Sequence, residues 1–295
     1  MSGRGSAELL ELSAIALRVA EEAAALVQAG FRAGPRGLHV EEKGPHDLVT
    51  EFDRASEDLL VARLDALTPG VAVVGEERSA ARREEPRGGL VWYVDPLDGT
   101  TNFVHGHPFW CVSVGLMDDD VPVAGAVVAP ALGLRWTGFR PREPGPRDAA
   151  RAPVSTAAID GEARRNGERC AVSATASLQR AMVATGFPPI RDRAPDNNFD
   201  AFMTVKRNAQ AVRRCGSAAI DLCMVADGTY DAYWERRLHA WDVAAGSAIV
   251  RGAGGVVTAL DGGLPNYHTG NIVASNGLVH AAIVALFSHP GPPTC

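Results

Sequence analysis

Several carboxylates stand where short apolar runs end. Glu76 and Glu77 follow the run 71–74, and Asp95 and Asp98 follow the run 90–94. Asp242 opens a later helical pattern. Strand ends are where open α/β sheets place their ligands. A magnesium site needs hard oxygen donors, usually a few carboxylates completed by water and substrate phosphate. Two such ions ~4 Å apart can share a bridging carboxylate and stabilise both the attacking and the leaving oxygen.

Asp95 and Asp98 flank Pro96 and Leu97. Proline fixes φ and stiffens the turn, so two carboxylates three residues apart can converge on neighbouring ions. Gly99 then lets the chain approach an anion closely. Thr100-Thr101-Asn102 suits a helix N-terminus, where free N–H groups hold phosphate. Taken singly, each piece has a plainer reading. Asp-Pro and Asp-Gly are turn chemistry, Glu76-Glu77 is a solvated pair, and Asp242 is a helix cap. Asp47 and Thr50-Glu51-Phe52-Asp53 cap a helix. The set as a whole is what argues for a site.

The elements that must position these groups are legible from periodicity. Leu9, Leu12, Ala16, Val19, Ala23 and Leu26 recur at spacings of three and four, which predicts an amphipathic helix over 7–30. Gly30 and Gly34-Pro35 end it. A second helix is expected over 50–67, stopped by Thr68-Pro69-Gly70. Strands are expected at 71–74, 90–94, 111–116, 122–128 and 133–137. The stretch 140–153 is rich in Pro, Arg and Ala without periodicity and is read as an exposed insertion. Strands and helices then alternate: strands near 181–185, 211–214, 230–234, 255–259 and 271–275, and helices over 199–208, 217–227, from 241, and over 277–287.

Composition narrows the function classes. The chain has 295 residues, 46% hydrophobic and 22% charged, ordinary for a globular protein. A net charge of −6 with no basic stripe argues against nucleic acid as a partner. Acidic residues interrupt the first apolar helix and no signal-peptide core precedes it, so neither a membrane span nor export is expected. The five cysteines are odd in number with no C-x-x-C, which predicts free thiols in a reducing cytoplasm.

The ordered segments Asp47-Leu48-Val49-Thr50-Glu51-Phe52-Asp53, Gly75-Glu76-Glu77, Asp95-Pro96-Leu97-Asp98-Gly99-Thr100-Thr101-Asn102-Phe103, Gly216-Ser217-Ala218-Ala219 and Trp241-Asp242-Val243-Ala244-Ala245-Gly246 resemble the motifs of the inositol monophosphatase family. The resemblance spans about residues 10–285. It implies an α/β (α+β) layered αβαβα sandwich of the sugar-phosphatase type, usually dimeric, lithium-sensitive and using two to three Mg²⁺ ions. Carried over by residue, Glu76, Asp95 and the Leu97 carbonyl hold one metal. Asp95, Asp98 and Asp242 hold a second, and Glu76 helps hold a weaker third. Asp53 and Thr100 orient the attacking water. Gly99, Thr100 and Thr101 face the phosphate, and Gly216, Ser217, Ala218 and Glu235 face the sugar or polyol. Lys43 is a softer match near the site.

The implied substrate is a small phosphate monoester, with inositol monophosphate foremost. Histidinol phosphate, fructose 1,6-bisphosphate and 3′-phosphoadenosine nucleotides are alternatives on the same chemistry. A silent binding protein on this scaffold is the alternative from another class. Two departures bear on substrate: the insertion, and Arg236-Arg237 after Glu235, read as facing solvent. The expected organisation is an N-terminal α+β subdomain over 1–150 carrying most metal ligands, a C-terminal α/β subdomain over 151–288, and a disordered tail over 289–295.

Overall fold

A computed structural model of the chain describes residues 4–34, 38–44, 46–79, 88–142, 160–189, 194 and 196–288. Most of the proposed insertion and the expected C-terminal tail lie outside these residues.

The first helix, α1 (Ser6–Ala33), buries Leu9, Ser13, Ala16, Val19, Ala20, Ala23, Ala24 and Val27 along one face. Then come β1 (Val40–Gly44), β2 (Asp47–Thr50), α2 (Glu51–Leu67), β3 (Ala72–Gly75), α3 (Glu76–Ser79) and β4 (Leu90–Asp98). A short α4 (Thr100–Val104) leads to the meander β5 (Cys111–Asp118), β6 (Val121–Ala129) and β7 (Leu134–Phe139), extended by β8 (Glu162–Arg165) and β9 (Glu168–Arg169). Strands β3 to β9 form a seven-stranded sheet in sequence order. This sheet continues past residue 150, where a change of subdomain was expected.

The second half supplies β10 (Met182–Thr185), α5 (Phe199–Asn208), β11 (Ala211–Arg213), α6 (Ala218–Ala226) and β12 (Ala232–Glu235). It ends with α7 (Ala240–Gly252), β13 (Val256–Ala259), β14 (Ile272–Ser275) and α8 (His280–Ser288). Its strands form a five-stranded sheet in the order β11-β10-β12-β14-β13.

The layers follow from which faces are apolar. α1 and α2 cover one face of the first sheet, and α7 packs on the other against β4 to β8. α6 lies beside α7 and also meets β10, β12 and β14 of the second sheet. α5 and α8 pack together on the far side, against β11 and β14. The result is the expected five-layer αβαβα sandwich. α7 sits in the middle, and its sequence shows it: almost every residue from Ala240 to Gly252 is buried. A helix apolar all round belongs between two layers.

α7 approaches the first sheet through a furrow of glycines. Gly115, Gly125 and Gly138 lie side by side in the registers of β5, β6 and β7. A Cβ on them would stand 2.4 Å from the Ala245 nitrogen, 2.7 Å from the Ala245 Cα and 2.8 Å from the Ile249 Cα, respectively. Backbone meets backbone there, so α7 cannot be displaced without loss of packing.

The β1–β2 hairpin was not expected. Its first strand reads Val-Glu-Glu-Lys-Gly and is largely exposed, so it carries no hydrophobic alternation. Among the described residues Cys111, Cys170, Cys215 and Cys223 are free thiols, as expected. The furrow predicts that Gly115→Ala destabilises the protein by about 1–3 kcal/mol, the usual cost of overpacking. Urea unfolding measures this, and an unchanged midpoint would show that α7 can retreat.

Candidate active site

The apolar run ending at Val94 does not end β4. The strand continues to Asp98 through a bulge: Asp95 pairs with Ser113 and Asp98 with Cys111, three residues on β4 against two on β5. The consequence for the carboxylates is direct. In a regular strand, side chains three apart point to opposite faces. The extra residue resets the phase, so Asp95 and Asp98 share the face of their partners Ser113 and Cys111. Pro96 sits inside the bulge, where no ladder donor is required of it. The Ser56 hydroxyl on α2 donates to the Pro96 carbonyl at 2.9 Å and pins the turn.

Each candidate ligand is held by a different device. Asp98 Oδ2 accepts from the Ala219 N–H at 2.7 Å and the Ser217 hydroxyl at 2.8 Å, which puts it at the N-terminus of α6. Asp242 Oδ2 accepts from the His239 N–H at 2.6 Å in the first turn of α7. Asp95 Oδ1 accepts from the Leu97 N–H at 3.0 Å. Glu76 opens α3, whose first turn is fixed by Glu57: its carboxylate accepts from Glu77 N–H at 2.7 Å and Arg78 N–H at 2.9 Å. Lys43, on β1, reaches Glu76 at 2.6 Å and Glu77 at 2.9 Å.

These groups share one electrostatic environment. Burial pushes the Asp95 carboxyl well above the usual range, and the charges of Glu76, Asp98 and Asp242 push it further. Burial likewise raises Asp242, opposed by the His239 N–H and reinforced by Asp98, Glu76 and Glu235. Asp98 is raised to about 6 by burial, against the hydrogen bonds from Ala219 and Ser217. For Lys43, burial works against the charge, but Glu76 and Glu77 outweigh it and hold its ammonium above the usual lysine range. Lys43 thereby supplies part of the positive charge that a bound cation would bring.

Among the described residues, no three His, Cys, Asp or Glu side chains stand closed around one point as a finished metal site. The donor set nonetheless fits a hard divalent cation. It is all oxygen, Asp95 at its centre is buried, and the charges of Glu76, Asp98 and Asp242 raise the Asp95 pKa, which is the repulsion a cation removes.

Next to the carboxylates lies a hydroxyl relay. Thr100 Oγ1 stands 3.0 Å from Asp53 Oδ1 and 3.0 Å from the Leu97 carbonyl. Its single proton serves one of them at a time. Asp53 Oδ2 accepts from the Thr50 hydroxyl at 2.6 Å and the Thr50 N–H at 2.8 Å, a capping box at the start of α2. The capping role and the site role of Asp53 therefore coincide. Burial raises its carboxyl to about 7, with the Thr50 bonds opposing and Glu76 and Glu77 adding.

The two halves of the chain meet at Gly99. Its φ is +96°, and a Cβ there would stand 2.9 Å from the Phe109 carbonyl and 3.3 Å from the Gly216 carbonyl. Asn102 Nδ2 closes the junction, donating to the carbonyls of Phe109 at 2.6 Å and Cys215 at 2.9 Å. Gly216, Ser217 and Ala218 thus lie against the Asp95–Thr100 turn. Glu235 ends β12, and its field reaches Asp242 and Asp98. Thr101 is exposed on α4. His105 and His107 are exposed, and His239 stacks on Trp241 at 4.5 Å. Arg237 is exposed and pairs with Asp196 at 3.1 Å, while Arg236 is half-buried.

Sequence reasoning missed Ser56, Glu57 and the bridging part of Asn102. Glu57 lies four residues after Asp53 on α2, hence on the same helical face. That spacing was a usable signal. Asn102 gave none, because its partners are backbone carbonyls, one of them at Cys215, more than a hundred residues away.

Five alternating layers with an acidic junction at the strand ends define a phosphatase of the layered sugar-phosphatase type. The profile of the inositol monophosphatase family matches residues 8–289, and the chain belongs to that family. It is 40% identical over 242 residues to an inositol-1-monophosphatase of Synechocystis sp., covering 82% of this chain and 77% of the relative. It is 36% identical over 285 residues to a protein of Pseudomonas aeruginosa named Nus factor SuhB, covering 95% and 97% of the two. Among solved structures, the inositol monophosphatase from Anabaena (Nostoc) sp. PCC 7120 superposes with a TM-score of 0.79 at 31% identity, covering 97% of this chain and 98% of that one.

The buried carboxylates predict an unusual pH dependence for the metal-free protein. Asp53 at about 7, Asp98 at about 6 and Glu235 at about 7 all lie above their unfolded values. The folded state then binds protons more tightly than the unfolded chain, so stability falls as pH rises from about 4 to about 7. In chelator, Tm should drop between about pH 4 and about pH 7, and saturating magnesium should reverse most of the drop. A Tm that rises with pH in chelator would contradict the shared burial of these groups.

Proposed function

We propose that the chain is a magnesium-dependent phosphomonoesterase that hydrolyses inositol monophosphate or a similar small polyol phosphate. The observation that carries this reading is the bulge that turns Asp95 and Asp98 to one face, toward Glu76 and Asp242.

In this reading Glu76, Asp95, Asp98, Asp242 and the Leu97 carbonyl hold two to three Mg²⁺ ions. Bound magnesium supplies charge neutralisation for the phosphate and a lower pKa for water at the site. The protein's own groups do the rest. Thr100 and Asp53 orient the attacking water, and its proton passes to Thr100 as the Thr100 proton passes to Asp53. A threonine hydroxyl is a weak base alone, so the 3.0 Å link to Asp53 is essential to the step. The water oxygen bonds to phosphorus, the bond to the polyol oxygen breaks, and that oxygen takes a proton from solvent water to leave as a hydroxyl. The backbone at Gly99 and Thr100 with the Thr100 and Thr101 side chains faces the phosphate. Gly216, Ser217, Ala218 and Glu235 face the polyol.

The names of relatives support inositol 1-phosphate as the first substrate to test. Thr101 also modestly favours that branch over the nucleotide and histidinol branches, which typically carry lysine there. Glu235 disfavours fructose 1,6-bisphosphate, because a carboxylate repels a second phosphate. The relative named Nus factor SuhB supports a competing role as a binding protein. Retention of every candidate metal carboxylate favours the enzyme. The reading extends to a cytoplasmic homodimer inhibited by lithium, as family membership leads one to expect. Among the described residues no helix is long and apolar enough to cross a membrane.

With magnesium, the purified protein should release phosphate from inositol 1-phosphate. Asp95→Asn should lower kcat/KM by about three orders of magnitude, the scale of losing a central electrostatic group. Full activity in excess chelator would sink the metal mechanism. A panel of inositol, histidinol, fructose and phosphoadenosine phosphates ranks the substrates.

A further inference from the structure

Glu235 does not stand alone at the substrate side of the site. Along β12 the side chains alternate, so Tyr233 and Glu235 share one face while Ala232 and Trp234 share the other. The Tyr233 hydroxyl donates to Glu235 Oε2. Tyr233 is fully buried and Glu235 is 8% exposed. No donor among the described residues reaches Glu235 Oε1.

The other side of the carboxylate is closed by Gly186, just after β10. A Cβ on Gly186 would stand 2.1 Å from Glu235 Oε2 and 2.2 Å from Oε1. That wall is itself fixed to β12. Asn198 Nδ2 donates to the Gly186 carbonyl at 2.7 Å and to Thr185 Oγ1 at 2.8 Å. Thr185 Oγ1 donates to the Trp234 carbonyl at 2.6 Å, and Trp234 Nε1 donates to Asn198 Oδ1 at 2.7 Å. The backbone at Gly186 therefore cannot retreat from Glu235 without breaking a buried network.

We propose that Tyr233 and Gly186 are the specificity-determining positioning pair of this site: they clamp Glu235 in one rotamer with Oε2 occupied, so that Oε1 accepts from a hydroxyl of the substrate's leaving group. The clamp selects a neutral, hydroxyl-bearing leaving group and disfavours one that lacks a donor or carries a second anion. It rests on the reading that Glu235 faces the polyol. A clamped carboxylate discriminates better than a loose one, because the substrate need not offset the entropy of ordering it.

The test compares kcat/KM for inositol 1-phosphate with that for p-nitrophenyl phosphate, whose leaving group has no further hydroxyl, in the full chain with magnesium. Tyr233→Phe should lower the ratio of the two about fivefold to tenfold, the worth of one ordinary hydrogen bond. The loss should appear as a raised KM for inositol 1-phosphate, with kcat changed less than about threefold. Gly186→Ala should lower the ratio at least as far, because it displaces Glu235 directly. Glu235→Gln must lower it too if the underlying reading holds. If Glu235→Gln lowers the ratio but Tyr233→Phe and Gly186→Ala leave it within about twofold, the clamp is wrong and the reading stands. A single variant leaving the ratio unchanged removes that residue from the pair. If Tyr233→Phe slows both substrates alike, its role is structural and the proposal is overturned. An unchanged ratio in Glu235→Gln overturns the reading and the clamp together.

Discussion

The acidic side chains gathered around the buried Asp95 are the constraint on which the rest of this structure turns. Two like charges ~5 Å apart repel by roughly 3 kcal/mol at an effective dielectric of about 20, before any desolvation cost is counted. Asp95 feels the charges of Glu76, Asp98 and Asp242. A chain spends stability in this way only where the repulsion is released by something that binds. Lys43 supplies part of the relief at Glu76, and helix N–H groups supply part at Asp98 and Asp242. On the proposed function, the remaining negative charge would draw a divalent ion, and metal binding and phosphate chemistry would follow from one arrangement.

The framework delivers that arrangement through backbone, which makes it stiff. The bulge in β4 sets the phase of Asp95 and Asp98. The glycine furrow across β5, β6 and β7 sets the depth of α7, and with it Asp242. The N-terminus of α6 takes one oxygen of Asp98, so the second half of the chain is bolted to the first through a prospective ligand. These devices are worth most in combination. A ligand displaced by 1 Å would leave the repulsion in place and lose the cation.

Much of this was legible in the sequence because it is local. The helix over 7–30 announced itself by period, and Phe199–Asn208 was placed to the residue. The candidate ligands were found because each follows an apolar run or opens a helix. What escaped was non-local or polar. The β1–β2 hairpin that carries Lys43 has too little apolar pattern to read as a sheet. β8 and β9 are short and rich in arginine and glutamate, so no strand was read there. The continuation of β4 to Asp98 was hidden by Pro96, which argues against a strand unless a bulge excuses it. The glycine furrow was invisible for a different reason: its meaning depends on the register of three strands and on a helix more than a hundred residues later.

The site also divides its labour along this line. The groups assigned to phosphate and metal sit on the bulge and on helix N-termini, where backbone geometry fixes them. Changing them disturbs the fold as well as the chemistry. Glu235 is set apart: it comes from the second sheet and is steadied by side-chain and glycine contacts at Tyr233 and Gly186. If Glu235 faces the polyol as proposed, substitutions there would alter which leaving group is accepted while the carboxylate cluster keeps its frame. A layered fold of this kind can therefore retain one phosphate chemistry and vary its substrate through a few residues of β12 and the turn after β10. That is also why the sequence speaks clearly about the reaction and only indirectly about its substrate: the first is written in motifs, the second in the packing around one glutamate.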